Sequence, residues 1–289
     1  GIHSGDSIAV YPAWNLTDAQ TDKIVDYSTK LALALQTRGL INIQYVISGG
    51  EIYVIEVNPR SSRTVPYLSK VTGVPMIDIA TRIMLGETLQ SMGYKSGLYP
   101  NAPHTAIKVP VFSFEKLAGL DTTLGPEMKS TGEVLGIAPT LSEALYKGLL
   151  GAGYHFETSG GVFITVRDTD KQEAVQIAKD FSDLGFHLYA TEGTTNVLRA
   201  NGLSVTMVHK IHESEQNTIA LLESGKVNYI ISTSAKGRSP RRDSVKLRRK
   251  SVELGIPCIT SLDAAKALAT ILAMDYTPEK TSLIDICTL

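Results

Sequence analysis

Between Gln44 and Arg63 the chain reads QYVISGGEIYVIEVNPRSSR, and five of its side chains could handle a metal-bound phosphate: Gln44, Glu56, Asn58, Arg60 and Arg63. Their neighbours are mostly strand formers, and glutamate is rarely buried in such company without a partner. Glu56 and Asn58 are two apart, so on a strand they share a face. Amide and carboxylate oxygens suit a hard cation; Mg²⁺ takes about six oxygens and usually combines a few protein ligands with substrate phosphates. Arg60 and Arg63, just beyond Pro59, are suited to grip phosphate oxygens bidentately. The same residues also fit a solvated strand end with incidental salt bridges, and spacing alone leaves both readings open.

Whether Gln44 joins that face depends on the turn at Ser48-Gly49-Gly50. A two-residue loop at Gly49-Gly50 pairs Gln44 with Ile55 and sends Glu56 to the other side. An odd loop centred on Gly50 pairs Gln44 with Glu56. It then gathers Gln44, Val46, Val54, Glu56 and Asn58 on one face and Ile43, Tyr45, Ile47, Tyr53, Ile55 and Val57 on the other. The second partition separates polar from apolar more cleanly, and three-residue loops with a left-handed glycine are common. That register is the expectation.

A second group of candidate residues depends on the texture of the chain after residue 153. Strands expected at 162–166, 186–190, 203–208, 227–232 and 256–260 alternate with helices at 169–184, 194–201, 214–223, 241–254 and 262–274. Such alternation predicts an open parallel sheet with helices on both faces. Ligands on such sheets bind beyond the carboxyl ends of the strands. There the sequence places Thr165 and Lys171, then Thr191 and Thr194 around a glycine turn, then His209 and Lys210, then Ser232, Thr233 and Ser234. Hydroxyls, lysines and a helix start make a phosphate cradle. Each residue taken singly is also ordinary cap or turn chemistry.

Ahead of this region the sequence predicts a helix at 17–38, the hairpin strands 41–47 and 51–57, and a helix at 76–85. A loop follows at 90–105, then strands at 105–112 and 132–137 and a helix at 140–150. The fold class expected is α/β, with an α+β portion over 1–153 and an open parallel-sheet, Rossmann-like domain over 154–289; Gly151-Ala152-Gly153 and Thr158-Ser159-Gly160-Gly161 mark the division.

Composition narrows the function classes. The 289 residues carry a net charge of −1, so no overall field draws the chain to nucleic acid or an anionic membrane. Residues 236–250 hold eight Lys and Arg against one Asp, but few aromatics interleave, and a solvated helix face accounts for the run. No apolar run is long enough to span a bilayer. Cys258 and Cys287 lack metal-ligand spacing, which predicts free thiols, a reducing compartment and a cytoplasmic protein. The opening Gly1-Ile2-His3-Ser4-Gly5-Asp6, with neither initiator methionine nor signal peptide, reads as part of a longer polypeptide.

These motifs carry a resemblance. GIHSGDS, NIQYVISGGEIYVIEVNPRSSRTVPYLSKVTGVP and GPEMKSTGEVLG together resemble the C-terminal lobe of the second ATP-grasp half of carbamoyl phosphate synthase large subunits. The resemblance implies that this half phosphorylates carbamate with ATP. Gln44 and Glu56 would bind Mg²⁺ or Mn²⁺ and ATP phosphates, and Asn58 a second metal. Gly1, Ile2, His3 and Ser4 would contact the nucleotide, and Arg60 and Arg63 would steady phosphate and carbamate. It further implies the rest of the large subunit and a glutaminase small subunit as partners, and a role in pyrimidine and arginine biosynthesis. The glycine-rich N-terminal ATP-grasp lobe has no counterpart in these residues, so the chain alone is expected to be inactive.

LYATEGTTNVLRANGLSV and ALLESGKVNYIIS…GIPCITS resemble the methylglyoxal-synthase-like domain that ends those subunits. That likeness implies an allosteric domain for UMP or a related nucleotide, contacting Lys171, Thr191, Thr194, Lys210, Ser232 and Ser234. Asp6 matches an effector-binding acid of ornithine-activated members, but Lys108 replaces a glutamate and Cys258-Ile259 a Tyr-Asp pair, so ornithine activation is not expected. Phosphoribosyl pyrophosphate is a further effector the resemblance suggests, through Lys236, Arg238, Arg241 and Arg242. Two rival readings are a stand-alone nucleotide sensor with a vestigial ATP-grasp face and a biotin-carboxylase-like ligase.

Overall fold

The structure, a computed structural model, describes residues 3–113, 124–233 and 243–287. The chain divides into two compact units: one of Ala9–Lys108 with Ile137–Leu141 and Ser282–Leu289, the other of Ser142–Thr281 with Gly1–Ile8 and Val109–Gly136.

In the first of these units, α1 (Asp18–Ala34) begins with a capping box. Gln20 N–H donates to Thr17 Oγ1 at 3.2 Å and Thr17 N–H to Gln20 Oε1 at 3.0 Å, satisfying two amides the helix itself cannot. The helix stops short of the expected residue 38, because Gln36 adopts a left-handed φ of 50°. Strands β2 (Asn42–Ser48) and β3 (Glu51–Asn58) form an antiparallel hairpin. Tyr45 Oη lies 2.8 Å from Ser28 Oγ, tying the hairpin to α1.

Next comes α2 (Thr64–Thr72), a helix the sequence pattern did not suggest. Pro66 stands in its first turn, where no intrahelical amide is required, so the proline does not break it. With α3 (Met76–Met84) it buries Val65, Tyr67, Val71, Ile79 and Ala80. A short strand β1 (Ala9–Tyr11), also unforeseen, pairs antiparallel with β4 (Thr105–Val111), and with β5 (Gly132–Ala138) these make a sheet of order β1-β4-β5. Tyr67 Oη donates to Ala106 O at 2.8 Å, and burial pushes its phenol pKa up. Helix α4 spans Leu141–Gly151.

The second sheet follows expectation closely. Strands β6 (Gly161–Thr165), β7 (His187–Thr191), β8 (Val205–Val208), β9 (Tyr229–Ser232) and β10 (Cys258–Ile259) are all parallel, in the order β10-β9-β6-β7-β8. Between them run α5 (Lys171–Asp183), α6 (Glu192–Ala200), α7 (Thr218–Glu223), α8 (Asp243–Glu253) and α9 (Leu262–Ala273). Side-chain alternation divides the core. Val162 and Ile164 of β6 join Ala174, Ile177, Phe181, Leu198 and Leu268 on the α5, α6 and α9 side. Phe163 turns the other way, to Leu222 and Leu247 of α7 and α8. Helices thus cover both faces. Helix α7 starts later than expected because Asn217 Oδ1 caps it, accepting from Ile219 and Ala220 N–H.

Chain order reverses at β6, with β7 and β8 on one side and β9 and β10 on the other, so the carboxyl ends of β6 and β9 are the switch point at which sheets of this kind have their ligand crevice. Cys258 and Cys287 are free thiols, and burial pushes the Cys258 thiol up to about 11. Among the described residues no helix is long and apolar enough to cross a membrane.

Candidate functional site

The hairpin turn is not the odd loop expected. Ser48 pairs with Glu51, leaving a two-residue loop in which Gly49 and Gly50 have φ of 59° and 83°. Two consecutive left-handed residues are what a primed hairpin turn requires, and glycine takes that backbone without steric cost. Continued regularly, this turn would set Gln44 against Ile55. Instead the register shifts between Gln44 and Tyr45: Tyr45 pairs with Val54 but Gln44 pairs with Glu56, so Ile55 is the extra residue of a bulge.

The bulge brings Gln44 opposite Glu56 after all and corrects the expected faces. Tyr53, opposite Val46, shares the face of Gln44, whereas Val54, opposite Tyr45, lies on the other. Ile55, expected on the face opposite Gln44, is the bulged residue and is 61% exposed, as its neighbours Tyr53 and Val54 are also exposed. Asn42, which the sequence reading passed over, pairs with Asn58 and adds another amide beside the group.

Glu56 is exposed, and Asn58 Nδ2 donates to its Oε1 at 3.0 Å. Because the asparagine nitrogen is turned toward the glutamate, Asn58 Oδ1 is left as a cation donor. Among the described residues no group of three or more His, Cys, Asp and Glu side chains gathers as a metal cluster. A cation on this face would therefore rely on one carboxylate, neighbouring amides and substrate oxygens, a donor set that fits Mg²⁺ or Mn²⁺ held jointly with phosphate. Beyond the strand, Arg60 N–H donates to Asn58 O at 2.8 Å and its Nη1 to Ser61 O at 2.9 Å. Arg63 is the exposed residue from which α2 departs.

In the other unit, His3 caps the turn Ser4–Asp6. Gly5 N–H donates to His3 Nδ1 at 3.0 Å, so the neutral ring carries its proton on Nε2. Burial alone would raise the Asp6 carboxyl, but N–H donors of Lys129 and Ser130 outweigh it and hold it below the ordinary value. Gly1 and Ile2 lie outside the described residues.

The second candidate site lies at the crevice. Thr165 pairs in register with Ser232, and its Oγ1 is 3.2 Å from Thr191 Oγ1. Thr191 is the residue before α6, yet its side chain caps no amide of that helix. Thr194 is 1% exposed and its Oγ1 has no hydrogen-bond partner among the described residues. Its neighbour Thr195, equally buried, donates to Ala190 O at 3.0 Å. Lys171 Nζ stands over the start of α6, where a Cβ at Gly193 would come within 2.7 Å of it. A side chain there would make the lysine tip shift. Lys210 Nζ lies 3.9 Å from Glu213 Oε1.

An acidic pair that sequence reading missed borders these groups. Asp168 Oδ1 is 2.6 Å from Lys171 Nζ. Asp170 accepts two bonds from Arg167, at 2.9 and 3.0 Å, and the hydrogen bonds from Arg167 and Thr233 hold its carboxyl down at about 2. The spacing of these acids to Lys171 was visible in the sequence. Ser234 and the basic residues Lys236, Arg238, Arg241 and Arg242 lie outside the described residues.

Uncapped amides at a helix start, a buried hydroxyl without a partner and a nearby ammonium constitute an anion-binding arrangement. Residues 1–92 match the family model described as carbamoyl-phosphate synthase L chain, ATP binding domain, and residues 173–260 match the MGS-like domain. Among solved structures, the chain is similar to the biotin carboxylase domain of a single-chain bacterial carboxylase, at 24% identity over 36% of this chain and 25% of that one, with a TM-score of 0.34. It is similar to a single-chain, multi-domain long-chain acyl-CoA carboxylase at 22% identity over 41% of this chain and 13% of that one, TM-score 0.35. It is also similar to methylglyoxal synthase from Elizabethkingia anophelis NUHP1 at 16% identity over 44% of this chain and 84% of that one, TM-score 0.34. The chain thus spans a quarter or less of the two carboxylases.

Proposed function

We propose that this chain, in which an ATP-grasp ATP-binding segment precedes an MGS-like domain as in the C-terminal part of a carbamoyl phosphate synthase large subunit, contributes to phosphorylating carbamate and to sensing a nucleotide. Residues 1–153 would supply the metal- and phosphate-facing portion of the reaction site, and residues 154–289 the regulatory domain. The observation that carries the reading is the bulged register that sets Gln44 against Glu56, with Asn58 bonded to Glu56.

In the reaction a carbamate oxygen attacks the γ-phosphorus of ATP and ADP leaves. That oxygen is already anionic, so the site needs alignment and charge neutralisation more than a general base. Gln44, Glu56 and Asn58 would hold Mg²⁺ or Mn²⁺, which when bound neutralises phosphate charge. Arg60 and Arg63 orient the transferring oxygens, and His3 with its Nε2 proton donates to the nucleotide beside Gly1, Ile2 and Ser4. At the other site Thr165, Lys171, Thr191, Thr194, Lys210, Ser232 and Ser234 bind the phosphate of UMP or a related nucleotide. The remainder of a large subunit and a glutaminase subunit complete the enzyme, for pyrimidine and arginine biosynthesis.

Electron paramagnetic resonance of Mn²⁺ with ATP tests the first site. Glu56→Gln should weaken Mn²⁺-ATP binding by roughly ten-fold or more, one charge-bearing ligand being lost, while far-UV circular dichroism is unchanged. Binding equal to that of the parent chain in both Glu56→Gln and Gln44→Ala would refute the assignment.

A further inference from the structure

The anion site at the crevice already contains an anion of the protein's own. Asp168 Oδ1 lies 2.6 Å from Lys171 Nζ; the aspartate side chain is 94% exposed and the lysine only 20%. Lys171 Nζ also lies close to the start of α6 at Gly193. Three residues into that helix, Thr194 keeps its buried, unpartnered hydroxyl. The Asp168 carboxyl is held below its ordinary value first by the hydrogen bond and charge of Lys171 and, more weakly, by Lys210. Both lysines expected to receive a phosphate therefore act on one exposed carboxylate.

We propose that Asp168 is the resident counter-anion of this site: it neutralises Lys171 when no ligand is bound, and releases it when the phosphate of a nucleoside monophosphate enters. The inference rests on reading the crevice as a nucleotide site. Its physical basis is an asymmetry of solvation. Lys171 is mostly covered and is stabilised by any adjacent anion. Asp168 is almost fully in water and gives up its partner at little cost. Two anions on one ammonium repel, so phosphate affinity is set by the difference between them, and Asp168 is an affinity-determining residue without being a phosphate ligand.

Isothermal titration of the 289-residue chain with UMP, inorganic phosphate and uridine tests this. Asp168→Asn keeps the side-chain shape and removes the charge. It should bind UMP and phosphate roughly five-fold more tightly at low ionic strength, with the gain shrinking at about 0.5 M salt and uridine unaffected. In a Lys171→Gln background the same change should bring a clearly smaller gain, because only the weaker influence of Lys210 and direct repulsion between the two anions remain. If the parent binds UMP and Asp168→Asn binds it no more tightly, the counter-anion role falls and the nucleotide site stands. An equal gain in the Lys171→Gln background, or a gain for uridine, also overturns the role. If neither parent nor variant binds UMP or phosphate while both melt cooperatively, the nucleotide-site reading falls, and with it the role of Asp168.

Discussion

Thr194 and Thr195 are adjacent, nearly equally buried and chemically identical, so replacing each by valine isolates what its hydroxyl does. Thr194 Oγ1 has no partner among the described residues, whereas Thr195 Oγ1 donates to Ala190 O at 3.0 Å. A buried hydroxyl left unbonded costs about 1–3 kcal/mol. Thr194→Val removes that cost at nearly constant volume and should stabilise the ligand-free chain by about 1 kcal/mol, raising Tm by roughly 3 °C. Thr195→Val instead removes the bond to the Ala190 carbonyl and should destabilise by about 1 kcal/mol. On binding the order reverses in kind. A hydrogen bond to a charged group is worth about 1.5–3 kcal/mol, so Thr194→Val should weaken UMP binding by roughly ten- to hundred-fold. Thr195→Val should leave UMP affinity within about two-fold, its hydroxyl being occupied in the helix start. Thermal melts with and without UMP, together with titration calorimetry, read both signs. The reasoning is refuted if Thr194→Val destabilises the free chain as Thr195→Val does, or if it binds UMP like the parent.

Two other expectations follow from single groups. Asp170, held at about 2 by Arg167 and Thr233, lies below its ordinary 3.8 in the folded state. Its contribution is fully present above the unfolded value and is lost as pH falls through 3.8 toward about 2, so urea melts should show stability dropping over that window and a flatter profile in Asp170→Asn. Tyr67→Phe, which removes the 2.8 Å bond to Ala106 O inside the core, should cost about 1 kcal/mol or more in urea unfolding without altering UMP affinity.

The parallel sheet was legible in the sequence because its signal is local. VFITV, VNYIIS and the helices between them alternate at short range, and burial of both sheet faces makes each strand an apolar run. Helix α2 was not legible, since Pro66 reads as a breaker unless one knows it occupies a first turn. The hairpin is the instructive case. An odd loop would also pair Gln44 with Glu56, but the residue that supplies the offset is Ile55 in the strand and not a residue of the turn. The difference moved Tyr53 and Val54 to opposite faces. Some bulges announce themselves by a left-handed glycine, but this one falls at Ile55, a residue type that marks none.

By itself the sequence determined which groups are available: the amide, carboxylate and guanidinium groups from Gln44 to Arg63, and the hydroxyls and lysines at successive strand ends. Residue chemistry and strand periodicity are properties of short stretches, and they survive in one dimension. Tertiary structure alone decided which of two neighbouring threonines has a free hydroxyl, and that Lys171 shares its charge with Asp168 beneath a glycine twenty-two positions away. Hydrogen-bond satisfaction and charge pairing depend on distances across the fold, where a shift of an ångström separates a bonded group from an unbonded one.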